Sequence, residues 1–521
     1  MTAPGSASTR RKLRILLSTA VIGAVLVGGA YVGWKVRKHM MIRAALTEGR
    51  AAYDRGDWET ARRMLGRYVS AHPEDTDILA QYAHAQLSIR PLPPDAVRQA
   101  MNAYRLVLRV KPDDERAFRR LTLLYETTGN FGELEHIAGA RLAVLPDDPL
   151  AGLARAKSLL YRDQPEAART ELTALVERLA AGRFQEPAYI EACVLLSTLT
   201  AQGVPPGGDA ARESQALDWL NRALEHNPRS ALARAQRATL VRAFAERARR
   251  ALTESEADGI RSDLETAEQA DELEPRVRLA LSDEWLAQRA YDRAAALLAA
   301  ADSLAPDSLT DYYVDPGDWT AALFAQHAKL ALLTAAYERG AQLAGAVLER
   351  LQDRPQRQQV LPLCVELYVA AGDLAAAHRV LDEFLEAAKA VRTTAALEEQ
   401  TAFVQAVVAA AENEPYRVIA LLAPVADRPT TRSLVRAMLA DAYSRTGQPG
   451  RAAKTLASGG AEAPATSVMA TQLARLYVRR GAWAEARAAL AAIAESERDA
   501  DTAVLDLAAR LGLAAQQPPY H

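Results

Sequence analysis

The chain has 521 residues and a formal net charge of −2; 25% of its residues are charged and 50% are hydrophobic. The balanced charge argues against a dedicated nucleic-acid-binding protein, and the hydrophobic content excludes disorder for most of the chain. Only 6% of residues are aromatic, and the apolar half is rich in alanine, the strongest helix former, which predicts an all-α protein. The two cysteines, Cys193 and Cys364, are too few for a disulfide framework and are expected in helix cores.

The N-terminal part of the sequence has the pattern of a membrane anchor. A basic tail at 1–14 precedes an uncharged stretch at 15–34, and a basic juxtamembrane segment follows at 35–41. A helix of this length spans about 30 Å, the hydrocarbon thickness of a bilayer. We therefore predict one uncleaved transmembrane helix in contact with the lipid bilayer. A signal peptide cleaved near residue 30 is the alternative.

The basic residues on the two sides of this stretch balance, so its orientation rests on the short basic tail. Such a tail is typical of a signal anchor, which predicts a single-pass protein, of a bacterial inner membrane, whose large domain lies outside the cytoplasm. Small residues recur within the stretch as Ala20/Ala24/Gly28 and as Gly29/Gly33. Either stripe favours a homodimer through close helix contact. The alternative is that such residues are simply common in membrane helices.

An internal repeat runs through the rest of the chain. The segment from Gly56 to Pro73 and the segment from Gly129 to Pro146 have equal length and carry apolar or small residues at matching positions. We expect each glycine to end a first helix in a left-handed turn, and an alanine a few residues later to lie where the first helix touches the second. The recurring positions are Gly56, Gly129, Gly372, Gly447 and Gly481, with Ala61, Ala377, Ala452 and Ala486.

This pattern resembles the tetratricopeptide repeat (TPR), a helix–turn–helix unit of about 34 residues. The resemblance implies a right-handed superhelical solenoid over 42–500 with about eleven to twelve units, several of them degenerate. A capping helix is expected at 501–513, followed by a tail at 514–521. The units near 150–275 and 307–355 fit the pattern least well.

In this family the concave face, formed by the first helix of each unit, binds protein partners. The resemblance places on that face Arg43, Leu46, Arg50, Tyr53 and Asp54 in the first repeat, and Arg116, Arg119, Leu123, Glu126 and Thr127 in the third repeat. Arg116 and Arg120 occupy two basic positions with which some members hold a peptide carboxylate. That clamp is incomplete, because Leu46 and Arg50 stand where Lys and Asn are required. The alternative is that these arginines form solvated ion pairs along their own helices.

An acidic and aromatic insertion at 311–319 interrupts the repeat pattern. It carries Tyr312, Tyr313 and Trp319, and such side chains supply contact area at low entropic cost. We interpret the segment as a candidate docking loop for a partner. The alternative is that its aromatic side chains cover a gap between two irregular repeats.

The chain has no HExxH, GxxxxGK[ST], GxSxG or paired CxxC motif. Glu133, Glu135 and His136 lie close together, but at the start of a helix, where acidic residues are ordinary. We predict no enzyme activity, no cofactor, no metal and no nucleic-acid partner. The sequence favours a membrane-anchored TPR scaffold that binds protein partners and organises a membrane-associated complex. By fold analogy alone, a periplasmic component of an export or polysaccharide-secretion machine is the alternative.

Overall fold

The computed structural model describes residues 34–457 with short gaps, and a few isolated residues beyond 473. The gaps are 91, 94, 183–186, 204–208, 249, 251, 271–272, 306–308, 311, 393, 427 and 429–432. Apart from Trp34, the predicted span at 15–34 lies outside the described residues, with both of its small-residue stripes; so does most of the predicted capping helix. No helix within the described part combines the length and the apolar character needed to cross a bilayer.

Every regular element among the described residues is an α-helix, which confirms the predicted all-α class. The helices divide between two compact units, Met1–Pro146 and Asp147–His521. The first unit contains α1 (34–54), α2 (Trp58–Val69), α3 (Thr76–Ser88), α4 (Ala96–Val110), α5 (Glu115–Thr128) and α6 (Phe131–Val144).

The second unit continues the alternation of helices. It contains α7 (Pro149–Tyr161), α8 (Pro165–Ala180), α9 (Pro187–Ala201), α10 (Asp209–His226), α11 (Ala231–Arg247), α12 (Glu254–Glu268), α13 (Pro275–Ala287), α14 (Tyr291–Asp302), α15 (Pro316–Leu333), α16 (Tyr337–Arg350), α17 (Arg357–Ala370), α18 (Leu374–Lys389), α19 (Ala395–Ala411), α20 (Pro415–Ala426), α21 (Ser433–Arg445) and α22 (Pro449–Ala457). Odd-numbered helices correspond to the first helix of a repeat and even-numbered helices to the second.

The turns within helix pairs are short because one residue adopts the left-handed conformation. The predicted turn glycines Gly56, Gly129, Gly372 and Gly447 have φ of 73°, 69°, 79° and 75°, which confirms their role. Gly481 lies outside the described residues. Four further turns use a residue other than glycine at this place, namely Asp163, Arg289, Ala335 and Asn413, with φ between 54° and 63°.

Several odd-numbered helices begin at an aspartate that caps them. Asp75, Asp114 and Asp148 each accept a hydrogen bond from the backbone N–H three residues later. Each cap follows two residues after Pro73, Pro112 or Pro146, so the proline-acid pairs of the sequence do mark helix starts. A carboxylate there satisfies a free N–H group and favours the helix dipole.

The core forms where small residues let paired helices approach. Ala61, Ala377, Ala452 and Ala486 are all fully buried, as predicted. Close approach is clearest at Gly49 of α1, where an added Cβ would lie 2.6 Å from Leu65 Cδ2 of α2. The apolar core of each unit is therefore built between successive helices, as expected of a repeat architecture.

Candidate interaction surface

In the first unit, Tyr53 belongs to an aromatic cluster that joins three helices. Its hydroxyl lies 3.1 Å from His84 Nδ1 on α3, and the Trp58 ring lies 5.4 Å from both the Tyr53 ring and the His84 ring. Tyr53 and His84 are 31 residues apart in the chain, close to one repeat length. The structure thus brings a predicted binding residue together with His84, which the sequence did not single out.

The predicted arginines of the first unit divide into three groups. Arg43, Arg50 and Arg116 are exposed, and none of them forms an ion pair with another described residue. Arg119 pairs with Glu115 one turn earlier, at 2.8 Å, the solvated pair that the sequence left open as an alternative. Arg120 departs from the expected exposure: it is only 7% exposed, because it lies on the face of α5 that packs into the unit.

In the second unit, polar side chains link successive odd-numbered helices. The links are Lys157 with Glu191, Gln236 with Thr198, Arg242 and Thr239 with Glu284, and Lys329 with Asp283. We call this set the polar ladder; it connects α7, α9, α11, α13 and α15. No residue of this set was predicted from the sequence, although the partners recur at separations of one repeat or somewhat more, such as 42 and 46 residues.

Glu284 is the most buried member of the polar ladder, at 3% exposure. Its carboxylate accepts hydrogen bonds from Thr239 Oγ1 at 2.7 Å and from Arg242 Nη2 at 2.9 Å. Asp263 on α12 is equally buried and accepts bonds from Arg234 and Arg237 of α11. Buried carboxylates held by guanidinium groups in this way fix the relative position of their helices.

The described part of the predicted docking segment, 312–319, packs largely against other residues of the second unit, to which it belongs. Trp319 is 6% exposed and belongs to an apolar cluster with Leu279, Leu298 and Leu309. Its ring lies 5.5 Å from that of Tyr313, whose pKa is raised by burial. These contacts are those of the alternative reading, in which aromatic side chains cover a gap between repeats. A part in partner binding stays a prediction.

Tyr312 and Tyr313 are also tied to α13. Arg276 donates a hydrogen bond from Nη2 to the Tyr312 carbonyl oxygen at 2.7 Å, and its guanidinium carbon lies 5.4 Å from the centre of the Tyr313 ring. Both tyrosines are half-buried. Residue 311 lies outside the described residues.

Both cysteines lie in apolar clusters of the second unit. Burial raises the pKa of Cys193 and of Cys364 to about 12, so both thiols are protonated at neutral pH and are poor nucleophiles. Both are fully buried on helices, as predicted. Across the described ranges, no group of three or more His, Cys, Asp and Glu side chains is placed to hold a metal ion.

No protein-family model and no curated protein matches the chain. Among solved structures, it is similar to a tetratricopeptide repeat protein from Parabacteroides merdae, with 13% identity and a TM-score of 0.37, over 56% of this chain and 97% of that chain. It is also similar to the APC/C hetero-tetramer Cut9–Hcn1, with 13% identity and a TM-score of 0.41, over 91% and 85% of the two chains. For yeast Tom70 the identity is 11%, the TM-score 0.28 and the coverage 92% and 98%. The likeness concerns helical repeats alone.

Proposed function

We propose that this chain is a non-enzymatic TPR-type scaffold that binds acidic segments of protein partners on its odd-numbered helices. The observation that carries the proposal is the row of exposed cations on α1. Arg43, Arg50 and Tyr53 are spaced by seven and three residues, so they share one face of the helix. Tyr53 in turn contacts His84 of α3, which extends the face to a second helix.

The face carries two exposed arginines against one exposed carboxylate, that of Asp54, so its charge suits an acidic segment. Arg43 and Arg50 have no carboxylate partner in the described part of the chain, so both guanidinium groups are available for bidentate bonds to a partner. Tyr53, half-buried on the same face of α1, adds aromatic contact area next to Arg50. Aromatic and arginine side chains of this kind dominate the energetics of protein interfaces.

We also propose that residues 15–34 hold the scaffold at a membrane. The support is the uncharged sequence there together with the first turns of α1, where Trp34, Met40 and Met41 are 59%, 66% and 60% exposed. Lys38 lies 5.3 Å above the Trp34 ring, a pairing suited to a lipid headgroup region. We further propose that the helical units lie outside the cytoplasm. A reporter fused after His521 tests this orientation, since a signal from the cytoplasm would contradict it.

Partner binding is tested by affinity purification of the full-length chain from detergent-solubilised membranes. We expect one protein partner in stoichiometric amount with the unmodified chain and a strong loss with Arg50→Glu. Arg63→Glu is the matched control, because Arg63 is also exposed but lies on the even-numbered helix α2. Purification without a stoichiometric partner, or equal loss with both variants, would overturn the proposal.

A further inference from the structure

A groove of about 450 Å3 lies in the first unit between α4 and α6, above α5. Phe118 and Leu121 of α5 form its floor and are at most 1% exposed. Arg105, Leu108 and Arg109 form the α4 wall. They are spaced by three and one residues, so they present one face of that helix. The volume lies within the range of about 300–1,000 Å3 typical of ligand-binding clefts.

The opposite wall is a face of α6 with exposed and half-buried residues. His136, Ile137, Ala140 and Val144 line it at spacings of one, three and four residues. The residues that α6 buries are Leu134, Ala138 and Arg141, of which only Arg141 also lines the groove. Ala140 is exposed and Val144 is 58% exposed. A half-apolar helix face is thus left open to solvent beside an apolar floor.

The groove exists because α6 carries small residues where it could have filled the space. Ala140 is too short to reach the floor, and a Cβ added at the neighbouring Gly139 would meet nothing within 4 Å. Ile137 and Val144 line the same cleft, so apolar surface is concentrated there rather than scattered.

The rim of the groove is basic. Arg105 and Arg109 lie on it with the single carboxylate of Glu133, and the buried Arg141 lines the groove below them. Arg105 already binds Glu133 at 3.1 Å and also donates to the Tyr125 hydroxyl. Arg109 is exposed and has no ion-pair partner among the described residues. A carboxylate on an occupant would therefore find Arg109 unpaired at the edge of an apolar floor.

The groove is held in shape before anything binds. Arg141 Nη1 donates to the carbonyl oxygens of Pro112 and Asp114, at 2.9 and 3.3 Å, and its guanidinium carbon lies 4.7 Å from the centre of the Phe118 ring. These bonds tie α6 to the turn before α5. A preformed cleft costs an occupant less ordering free energy than one that must open.

We infer that this groove binds a short amphipathic helix of a protein partner, which places apolar side chains against Leu108, Ile137 and Val144 of its walls and a carboxylate against Arg109. The site is distinct from the proposed face on the odd-numbered helices. Phe118 and Leu121 point away from Arg116 and Arg119 on α5, because residues two apart lie on opposite sides of a helix. The scaffold thus offers two binding surfaces with different requirements.

The test selects binders from a library of random 16-residue peptides displayed on phage, against the full-length chain in detergent. Selected peptides are then measured by fluorescence anisotropy on variants. Ala140→Trp fills the groove, and Ala143→Trp is its control, because Ala143 is exposed on α6 outside the groove. Arg109→Glu reverses the rim charge, and Arg98→Glu is its control on α4, likewise exposed and outside the groove.

We expect enriched peptides to combine apolar residues at helical spacing with Asp or Glu, and to lose about tenfold or more in affinity with Ala140→Trp and with Arg109→Glu. Both control variants should bind as the unmodified chain does. Circular dichroism of each variant checks that it is folded, and Arg109→Glu alone decides the matter if Ala140→Trp is not.

Three results would overturn the inference. The first is a set of peptides without acidic residues. The second is binding that Arg50→Glu removes and both groove variants leave intact, which would support the proposed function and not this groove. The third is self-association of the chain, seen by analytical ultracentrifugation, that Ala140→Trp abolishes, because the occupant would then be a second copy.

Discussion

At the scale of single residues, the buried carboxylates Asp263 and Glu284 depend most on their partners. Each is 3% exposed, and an unpaired charge at such a depth is strongly unfavourable. Arginine hydrogen bonds compensate for the lost hydration, so each carboxylate stabilises the fold only as part of a complete pair. Exposed pairs such as Glu386 with Lys389 contribute little, because water screens them.

Glu284→Ala should lower the free energy of unfolding of the second unit by about 3 kcal/mol, because it leaves the Arg242 guanidinium and the Thr239 hydroxyl without their acceptor. Glu386→Ala, at 72% side-chain exposure, should cost less than about 1 kcal/mol. Urea denaturation followed by circular dichroism measures both. Equal effects of the two substitutions would contradict the role of burial.

Trp319→Ala should lower the free energy of unfolding by about 3–5 kcal/mol, because it removes a large side chain from the cluster of Leu279, Leu298 and Leu309. Tyr312→Ala should cost clearly less, since Tyr312 is only half-buried. Thermal unfolding measures the stability of both variants, and affinity purification measures their partner binding. A stable Trp319→Ala chain that has lost its partner would instead assign Trp319 to binding.

At the scale of elements, the turn inside a helix pair needs one residue in the left-handed conformation. In four turns this residue is not glycine. Asp163, Arg289, Ala335 and Asn413 all have positive φ, a conformation that costs an L-residue about 1–2 kcal/mol. Aspartate and asparagine tolerate it better than alanine does. The packing of the two helices must supply this free energy, since the turn residue does not.

Ala335→Gly should therefore stabilise the second unit by up to about 1 kcal/mol, because glycine adopts φ near 54° without strain. Gly372→Ala provides the reverse test. An added Cβ there meets nothing within 4 Å, so only its φ of 79° makes the substitution destabilising. Urea midpoints of the two variants should move in opposite directions, and a shift of both in one direction would refute the argument.

The stability of the first turn of α12 is predicted to depend on pH. Thr253 and Glu256 cap this helix reciprocally, and hydrogen bonds from Arg250 lower the pKa of Glu256 from 4.5 to about 2. A pKa below its unfolded value stabilises the folded state above pH 4.5, and this contribution is lost as the pH falls towards 2. The stability difference between the unmodified chain and Glu256→Gln should thus shrink over that window. Urea titrations at several pH values measure it, and a constant difference would contradict the assignment.

At the scale of the whole molecule, the proposed membrane segment precedes the residues with which the first unit is described to pack. Within α1, burial begins only at Ala45, Gly49 and Ala52. The preceding turns, with Trp34 and Met40, remain exposed. The described packing of the first unit therefore begins at Ala45, after the segment 15–34 that the sequence assigns to the membrane.

Deleting residues 1–38 should leave a folded and strongly helical chain with the melting temperature of the full-length protein, because the core forms between neighbouring helices. Only the full-length chain should remain with the membrane pellet after alkaline carbonate extraction. Circular dichroism and fractionation measure the two effects. Loss of helicity on truncation would show that the N-terminal segment belongs to the fold, and release of the full-length chain by carbonate would argue against an anchor.

The local part of the fold could be read from the sequence alone. Gly56 and Gly372 mark their turns because a left-handed residue favours glycine whatever surrounds it. Ala61 and Ala377 mark the contacts of paired helices, and Pro73 and Pro112 precede the next helix. Each signal acts within one helix pair, so the repeat and the all-α class followed from residue type and spacing, whereas the candidate face with Tyr53 came from the resemblance and stays a prediction.

Only the tertiary structure decided the features that join different pairs. The turn at Ala335 has no sequence signal, since packing imposes its conformation. Arg120 and Trp319 are residue types expected in a surface binding site, but each packs into its unit. The polar ladder and the groove beside Ala140 depend on which residues of separate helices come to face each other. That register is set by many weak contacts acting together, and residue type at one position does not reveal it.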